Sequence, residues 1–169
     1  AAFNQDVEKF LRMIDFPYTV GYGMTECAPL ICYEDWTKFK MASCGKAVPR
    51  MEVKVLSPDP KNIVGEIVCR GENVMLGYYK NSEATEEVFT EDGYFRTGDY
   101  GKFGKDGALF ITGRKKNLII LSNGKNVYPE EIENALTSVG GVLEIVVYEG
   151  QSKQGMEHNA IVAEIFPDA

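Results

Sequence analysis

Residues 113–133 read GRKKNLIILSNGKNVYPEEIE and mark the clearest change of pattern in this chain of 169 residues. The apolar run at 118–121 predicts a short strand. The next four residues, 122–125, have the composition of a turn. Pro129 suits the first turn of a helix, and Glu130 beside it suits the positive end of the helix dipole. The tract therefore predicts a strand, a turn and a helix, in that order.

The residues after this tract complete a small unit. The predicted helix has one apolar stripe and ends at Gly140 and Gly141. The stripe consists of Ile132, Ala135, Leu136 and Val139. Two apolar runs, 142–148 and 160–166, then predict strands, and the first of them is expected to be buried. This order predicts an α+β unit that begins near residue 113.

Residues 45–112 have a different pattern, in which short strands alternate with turn residues. Val53 and Val55 alternate with charged residues, and 66–70 predicts a strand that runs back beside them. Ser82 is the expected cap of a short helix through Phe89. Two hairpin signals follow, Asp92-Gly93 and Asp106-Gly107. The pattern predicts a small barrel or a distorted antiparallel sheet.

The first 44 residues begin with an amphipathic helix. Asn4 can cap it, and Pro17 ends it. Its apolar positions recur at helical spacing: Phe3, Val7, Phe10, Leu11 and Ile14. Residues 18–20 then predict a brief strand that enters a glycine-flanked turn, and 29–44 predicts an irregular segment.

Composition excludes several classes of function. The net charge is −7, so the chain is a poor partner for a nucleic-acid backbone, which needs clustered Lys and Arg. No window approaches the roughly 18 uncharged apolar residues that a transmembrane helix needs. Apolar residues make up 44% of the chain, enough to form a packed core.

The cysteines favour a reducing compartment. There are four, without a C-x-x-C pair, and the single histidine is His158. Zinc sites need close ligand pairs, so we expect small buried thiols and a strand or loop histidine rather than a metal centre or a general base. We expect a cytoplasmic protein, with peripheral membrane association of the full-length protein as an alternative.

The first chemical motif is Gly21-Tyr22-Gly23-Met24-Thr25-Glu26. A ring between two glycines can present an open face on which a flat base stacks. Thr25 offers a hydroxyl, and Glu26 offers the hard carboxylate that magnesium prefers. The alternative, which this motif alone favours, is a buried tyrosine at a strand end with a surface glutamate.

Two further motifs lie downstream. Asp99, at the end of Tyr94-Phe95-Arg96-Thr97-Gly98-Asp99, can accept hydrogen bonds from a ribose diol, or it can cap a tight turn. Arg114, in Gly113-Arg114-Lys115-Lys116-Asn117, can make forked contacts with phosphate or ribose oxygens, or belong to a solvated basic turn. Taken alone, each motif favours its second interpretation: a tight turn capped by Asp99, and a solvated basic turn that contains Arg114.

In this order and at these intervals, the three motifs resemble the adenylate-forming superfamily of acyl-CoA synthetases, luciferases and peptide-synthetase adenylation domains. Residues 113–133 resemble its long-chain fatty acyl-CoA synthetase branch, and Val74-Met75-Leu76-Gly77-Tyr78-Tyr79 also fits. The resemblance implies an α+β fold. Residues 1–112 would be the end of the large N-terminal domain, with a distorted β-barrel, and 113–169 the incomplete start of the mobile C-terminal domain.

The resemblance also implies roles for residues of the first motif. Tyr22, flanked by Gly21 and Gly23 in the nucleotide-binding turn, would pack on adenine. Thr25 would lie near the α-phosphate of ATP. Glu26 would bind magnesium.

Four residues further along the chain match other positions of the family. Asp99 would hold the ribose hydroxyls, and Arg114 would lie near the ribose and the α-phosphate. Lys116 would be the hinge of the C-terminal domain, in an exposed connector. Gly124 would lie in the loop that approaches the pantetheine arm of coenzyme A.

The implied reaction has two steps, with ATP, magnesium and coenzyme A as cofactors. A fatty acid carboxylate attacks the α-phosphate of ATP to give acyl-adenylate and pyrophosphate, and a thiol then displaces AMP. An aromatic or medium-chain acid, or an acyl-carrier-protein acceptor, is an alternative within this class. A non-enzymatic module that binds a nucleotide or a partner protein is an alternative outside it.

We expect the 169-residue chain to be inactive by itself and to require the missing N-terminal part of a longer parent chain. The family's Ser/Thr- and Gly-rich phosphate loop and its C-terminal catalytic lysine are absent from these residues. ATP-dependent pyrophosphate exchange should stay at the blank rate, with the full-length protein as the positive control. Clear turnover by the isolated chain would contradict this expectation.

Overall fold

The computed structural model describes residues 3–121, 123–136, 139–151 and 159–168. Ser122, at the start of the predicted turn, and His158 lie outside the described residues. The described helices are all too short and too polar to cross a membrane.

Helix α1 spans Gln5–Met13 and begins as predicted. The side chain of Asn4 caps it by accepting hydrogen bonds from the backbone N–H groups of Asp6 and Val7, at 2.8 and 3.2 Å. Such a cap satisfies amide groups that have no partner within the helix. The predicted helix and its cap are therefore confirmed.

The apolar stripe of α1 is exposed, whereas a glutamate from the same helix is buried. The exposed side chains are Phe3, Val7, Phe10, Met13 and Ile14. Glu8 is 0% exposed, and its Oε2 accepts a hydrogen bond from the Ala42 N–H at 2.8 Å. The buried Glu8 carboxylate thus connects α1 to residue 42, and Arg12 adds a hydrogen bond to the Phe39 carbonyl oxygen at 2.7 Å.

A three-stranded antiparallel sheet follows, in the order β1-β2-β3. Its strands are β1 (Tyr22–Gly23), β2 (Leu30–Tyr33) and β3 (Lys46–Ala47). A 3₁₀ turn, Thr25–Cys27, reverses the chain between β1 and β2. Gly23 is required here because a Cβ would overlap the Pro29 carbonyl.

Two predictions for this region were wrong. The strand expected at 18–20 forms instead at β1, because the 3₁₀ turn brings Gly23 beside Leu30 and defines where pairing starts. The segment expected to be irregular at 29–44 contains β2, which pairs with both β1 and β3.

The largest sheet has four antiparallel strands in the order β4-β5-β6-β7. They are β4 (Met51–Leu56), β5 (Gly65–Gly71), β6 (Phe95–Phe103) and β7 (Leu109–Arg114). The register shifts twice, between Glu66 and Val68 and between Tyr100 and Gly101. The sheet matches the distorted antiparallel sheet predicted for this part of the chain, and the Asp106-Gly107 hairpin joins β6 to β7.

Helix α2, Ser82–Glu87, is shorter than predicted, and its cap is Asn81 rather than Ser82. The Asn81 side-chain oxygen accepts a hydrogen bond from the Ala84 N–H at 3.1 Å. Asparagine and serine cap helices about equally well, so composition could not distinguish two adjacent candidates.

The C-terminal elements include the predicted strands and helix in the predicted order, with one additional short strand, Asn126–Val127, that was not predicted. They are β8 (Ile119–Ile120), β9 (Asn126–Val127), α3 (Pro129–Leu136), β10 (Val142–Gln151) and β11 (Asn159–Pro167). Strand β10 pairs with β11 and is only half buried, which corrects the expectation of a buried strand. Ile145 and Val147 are buried, whereas Val146 and Tyr148 on the opposite face are exposed.

Strand β7 continues through the predicted domain boundary between residues 112 and 113. Gly113 lies opposite Tyr100, and Arg114 lies opposite Asp99 on β6. The change of sequence pattern therefore falls within the last residues of a strand.

The main hydrophobic core is formed by residues of the three-stranded and four-stranded sheets and of the segments beside them. It contains Tyr22, Cys27, Ile31, Cys32, Cys44, Met51, Val55, Ile67, Cys69, Phe95 and Leu109. All four cysteines are buried free thiols, as predicted. Burial raises the pKa of Cys32 to about 12 and that of Cys44 to about 11.

Ile67→Ala should lower the free energy of unfolding by about 2–5 kcal/mol, because it opens a cavity in the packed core. Ile67 is 0% exposed. Ile63→Ala is the matched control, since Ile63 is 51% exposed and should lose well under half as much. Urea unfolding measures both, and equal losses would contradict the packing described here.

Candidate functional site

A cleft of about 1030 Å³ lies where the start of the chain meets β6, β7 and α3. Six of the residues predicted for the site line it: Gly21, Tyr22, Gly23, Asp99, Arg114 and Lys116. They come from three motifs that are far apart in sequence, and folding brings them to one surface.

Asp99 is the point at which the three motifs meet. Its Oδ2 accepts a hydrogen bond from the Tyr22 hydroxyl at 2.8 Å, across 77 residues of sequence. Its Oδ1 lies 3.4 Å from Nε of Arg114. The carboxylate is 6% exposed, so these two donors compensate for much of its lost hydration.

The Tyr22 ring is not open, and the expectation of an uncovered face was wrong. The side chain is 7% exposed and belongs to the hydrophobic core. The flanking glycines leave the ring uncovered locally, but Tyr22 pairs with Cys32 on β2 and packs against the core behind it. Burial raises the pKa of Tyr22, so the hydroxyl remains protonated as the donor to Asp99.

Thr25 and Glu26 lie on the 3₁₀ turn beside Met24, just outside the residues that line the cleft. Glu26 is partly exposed, and its Oε1 accepts a hydrogen bond from the Tyr78 hydroxyl at 3.1 Å. Burial, followed by the neighbouring Glu26 carboxylate, raises the pKa of Tyr78. The predicted metal ligand is therefore adjacent to the cleft and already oriented by a neighbour.

The oxygen atoms that this turn offers as metal ligands fit a cation that takes most of its ligands from the nucleotide and water. Within the described ranges, no group of three or more His, Cys, Asp or Glu side chains is placed to bind a metal. Glu26 provides one carboxylate, and Thr25 provides a hydroxyl. Magnesium in nucleotide sites takes one or two carboxylates and completes its shell with phosphates and water, so these residues fit that ion.

Lys116 lies in an exposed 3₁₀ turn directly after β7, the connector Lys115–Asn117. The predicted exposure of Lys116 is confirmed, and the role of the connector between two domains stays a prediction. Asn117 donates a hydrogen bond to Oε1 of Glu130 on α3 at 2.6 Å. Gly124 lies in the exposed turn between β8 and β9, outside the cleft lining.

Sequence reasoning missed Glu66 of β5. This carboxylate is 7% exposed, with Oε2 at 2.7 Å from Nη1 of Arg96 and Oε1 at 3.6 Å from Nζ of Lys115. It therefore holds the first residue of the connector. A lone charge inside the apolar run 65–69 was the available signal for a buried ion pair.

Comparison with known proteins agrees with this architecture. Residues 1–79 match the family described as AMP-binding enzyme. The long-chain-fatty-acid–CoA ligase of Salmonella typhimurium is 37% identical over 147 residues, which are 84% of this chain and 26% of that protein. The long-chain-fatty-acid–[acyl-carrier-protein] ligase of Arabidopsis thaliana is 35% identical over 163 residues, covering 88% of this chain and 22% of that protein.

Solved structures show the same fold. The o-succinylbenzoate CoA synthetase of Bacillus subtilis, in complex with its acyl-adenylate intermediate, matches with a TM-score of 0.88 and 28% identity. The match covers 100% of this chain and 35% of that one. The same enzyme with ATP and magnesium gives a TM-score of 0.84 at 30% identity, over 97% of this chain and 34% of that one.

The described residues therefore have the mixed, sheet-rich α+β fold of adenylate-forming enzymes. The chain belongs to the adenylate-forming, AMP-binding family. It spans about a quarter of the length of the curated relatives described above.

Tyr22→Phe should destabilise the fold by about 1–3 kcal/mol, because it removes a donor from a buried carboxylate. Tyr33→Phe is the matched control, since it removes the same hydroxyl group from a side chain that is 45% exposed to solvent. Chemical denaturation compares the two variants. A Tyr22→Phe protein as stable as the control would show that the Tyr22–Asp99 hydrogen bond contributes nothing.

Proposed function

We propose that this chain is the nucleotide-binding part of an ATP-dependent acid–thiol ligase that activates a long-chain fatty acid as its adenylate and transfers the acyl group to coenzyme A. The observation that carries the proposal is the meeting of Tyr22 and Arg114 at the Asp99 carboxylate, in one cleft. Family membership supports the reaction class, and the meeting of the three motifs in the cleft supports nucleotide binding there.

In the first step, Asp99 accepts hydrogen bonds from the ribose hydroxyls. An ionised carboxylate has about four acceptor positions, so a diol can bind while the Tyr22 bond is kept. Arg114 is more than half exposed, and its guanidinium can turn from Asp99 towards the ribose and the α-phosphate. Adenine then lies against the wall of the cleft at Gly21 and Gly23, while the Tyr22 ring stays in the core behind them.

Thr25 and Glu26 act on the phosphate side of the nucleotide. Magnesium, when bound, neutralises the phosphate charge during attack by the carboxylate. Glu26 is the residue that holds this ion, and the Thr25 hydroxyl donates to the α-phosphate. The role of the protein in this step is to position reactants and stabilise charge.

The second step, transfer of the acyl group to the thiol, needs a rotation of the C-terminal domain relative to the large domain. We assign residues 1–112 to the large domain and 113–169 to the start of the mobile one, with Lys116 as the hinge. Gly124 would then lie in the loop that approaches the pantetheine arm of coenzyme A. The exposed position of the connector supports this assignment, because a hinge needs backbone that is free to rotate.

A long-chain fatty acid is the proposed substrate because the relatives named long-chain-fatty-acid–CoA ligase are up to 37% identical to this chain. Transfer to an acyl-carrier protein is a second candidate, favoured by the Arabidopsis thaliana relative at 35% identity. The o-succinylbenzoate enzyme, which acts on an aromatic acid, has the same fold at 28% identity. We propose a cytoplasmic location for the full-length protein.

Full-length protein given ATP and magnesium should convert long-chain acids faster than medium-chain or aromatic acids in a thioester assay.

Asp99→Asn should lower kcat/KM for ATP by about 10- to 100-fold, as expected when charged hydrogen bonds to the ribose are lost. Asp92→Asn, in an exposed turn, is the matched control and should behave as wild type.

Two results would contradict the proposal. Preference for an aromatic acid would remove the fatty acid assignment, and equal kcat/KM values for the two aspartate variants would remove the ribose role of Asp99. A carrier protein that is used faster than coenzyme A would select the second candidate.

A further inference from the structure

The stretch 74–79 resembles the family pattern, yet the roles assigned above leave it, and Asn73 before it, without a function. In the structure this stretch is hydrogen-bonded to the 3₁₀ turn that carries Thr25 and Glu26. Three hydrogen bonds connect it to the turn: Asn73 Nδ2 to the Cys27 carbonyl oxygen, the Met75 N–H to the Glu26 carbonyl, and the Tyr78 hydroxyl to Glu26 Oε1. A fourth runs from Asn73 Nδ2 to the carbonyl oxygen of Leu30, the first residue of β2.

Two of these bonds hold the backbone of the turn, and a third holds Leu30 at the start of β2. The Asn73 amide nitrogen reaches Cys27 O at 2.6 Å and Leu30 O at 2.9 Å, which uses both of its protons. The Met75 N–H reaches Glu26 O at 2.8 Å. These contacts place the Cα of Glu26, but a glutamate side chain still has several rotatable bonds, so its carboxylate needs a contact of its own.

Tyr78 provides that contact, and it is itself held firmly. Its hydroxyl donates to Glu26 Oε1 at 3.1 Å, across 52 residues of sequence. Its backbone N–H donates to Thr85 Oγ1 at 2.9 Å. Gly77 has a φ of +153°, and a Cβ there would lie 2.7 Å from Cγ2 of Thr85, so the approach of Tyr78 to α2 requires glycine.

We propose that Tyr78 is a positioning residue for the metal ligand Glu26, fixing the carboxylate through Oε1 and keeping Oε2 available to a magnesium–nucleotide complex. This inference rests on the proposed function, which assigns the ion to Glu26. Neighbours that orient a ligand lower the entropy lost on metal binding, and their removal weakens metal affinity.

The test compares Tyr78→Phe with Tyr79→Phe in the full-length protein. Tyr79 is 88% exposed and carries the same hydroxyl one residue away. Manganese, added with ATP, is the probe, and the signal of free Mn²⁺ in electron paramagnetic resonance gives its affinity without any turnover. Tyr78→Phe should weaken Mn²⁺ binding roughly tenfold, and Tyr79→Phe should leave it unchanged.

A second measurement separates positioning from structural damage. ATP affinity in the presence of EDTA should stay within about twofold of wild type in both variants, because only the metal ligand is misoriented. Both variants should also keep the unfolding temperature of wild type, since Tyr78 loses one oxygen from a partly exposed position. Loss of metal-free ATP binding in Tyr78→Phe alone would overturn the positioning role.

The outcomes distinguish the two proposals. Equal Mn²⁺ affinity in wild type and both variants overturns the role of Tyr78, whatever the activity of the protein. A tenfold difference in a protein that forms no acyl thioester supports Tyr78 and overturns the proposed reaction. Wild-type protein that binds no Mn²⁺ with ATP overturns both.

Discussion

The buried Asp99 carboxylate is the constraint on which the rest of the site depends. A charge taken out of water must find partners, and Asp99 finds them in the Tyr22 hydroxyl and the Arg114 guanidinium. These partners belong to β1 and to the last residue of β7. The same carboxylate therefore contacts the hydrophobic core through Tyr22 and the end of β7 through Arg114, and all three residues line the cleft.

A second buried carboxylate repeats this arrangement one strand away. Glu66 pairs with Arg96 and with Lys115, while Asp99 pairs with Arg114. Two consecutive cations at the end of β7 thus face two buried acids on neighbouring strands. These ion pairs join β5 and β6 to the residues where the chain leaves the sheet. The Asn117–Glu130 hydrogen bond and the contact between the Tyr100 and Tyr128 rings join the same region to the C-terminal elements.

Local features could be predicted from the sequence, whereas distant contacts could not. The Asn4 cap, the Asp106-Gly107 hairpin and the helix after Pro129 depend on a few neighbouring residues, and all three are confirmed. The burial of Tyr22 depends on β2 and the core, so the flanking glycines predicted the wrong exposure. The Tyr78–Glu26 bond joins residues with no common local pattern. Motif order identified the family without revealing either contact.

The connector described above has a consequence for the response of the protein to dissolved salt. The Arg114 and Lys115 side chains are 55% and 56% exposed, so small ions can reach both. At 0.15 M ionic strength, charges in water are screened over about 8 Å, and the screening length shortens as salt is added. The Tyr22–Asp99 hydrogen bond is inside the core and is hardly affected. Rising ionic strength should therefore weaken the ion pairs of Arg114 and Lys115 more than it weakens the buried contacts of the core.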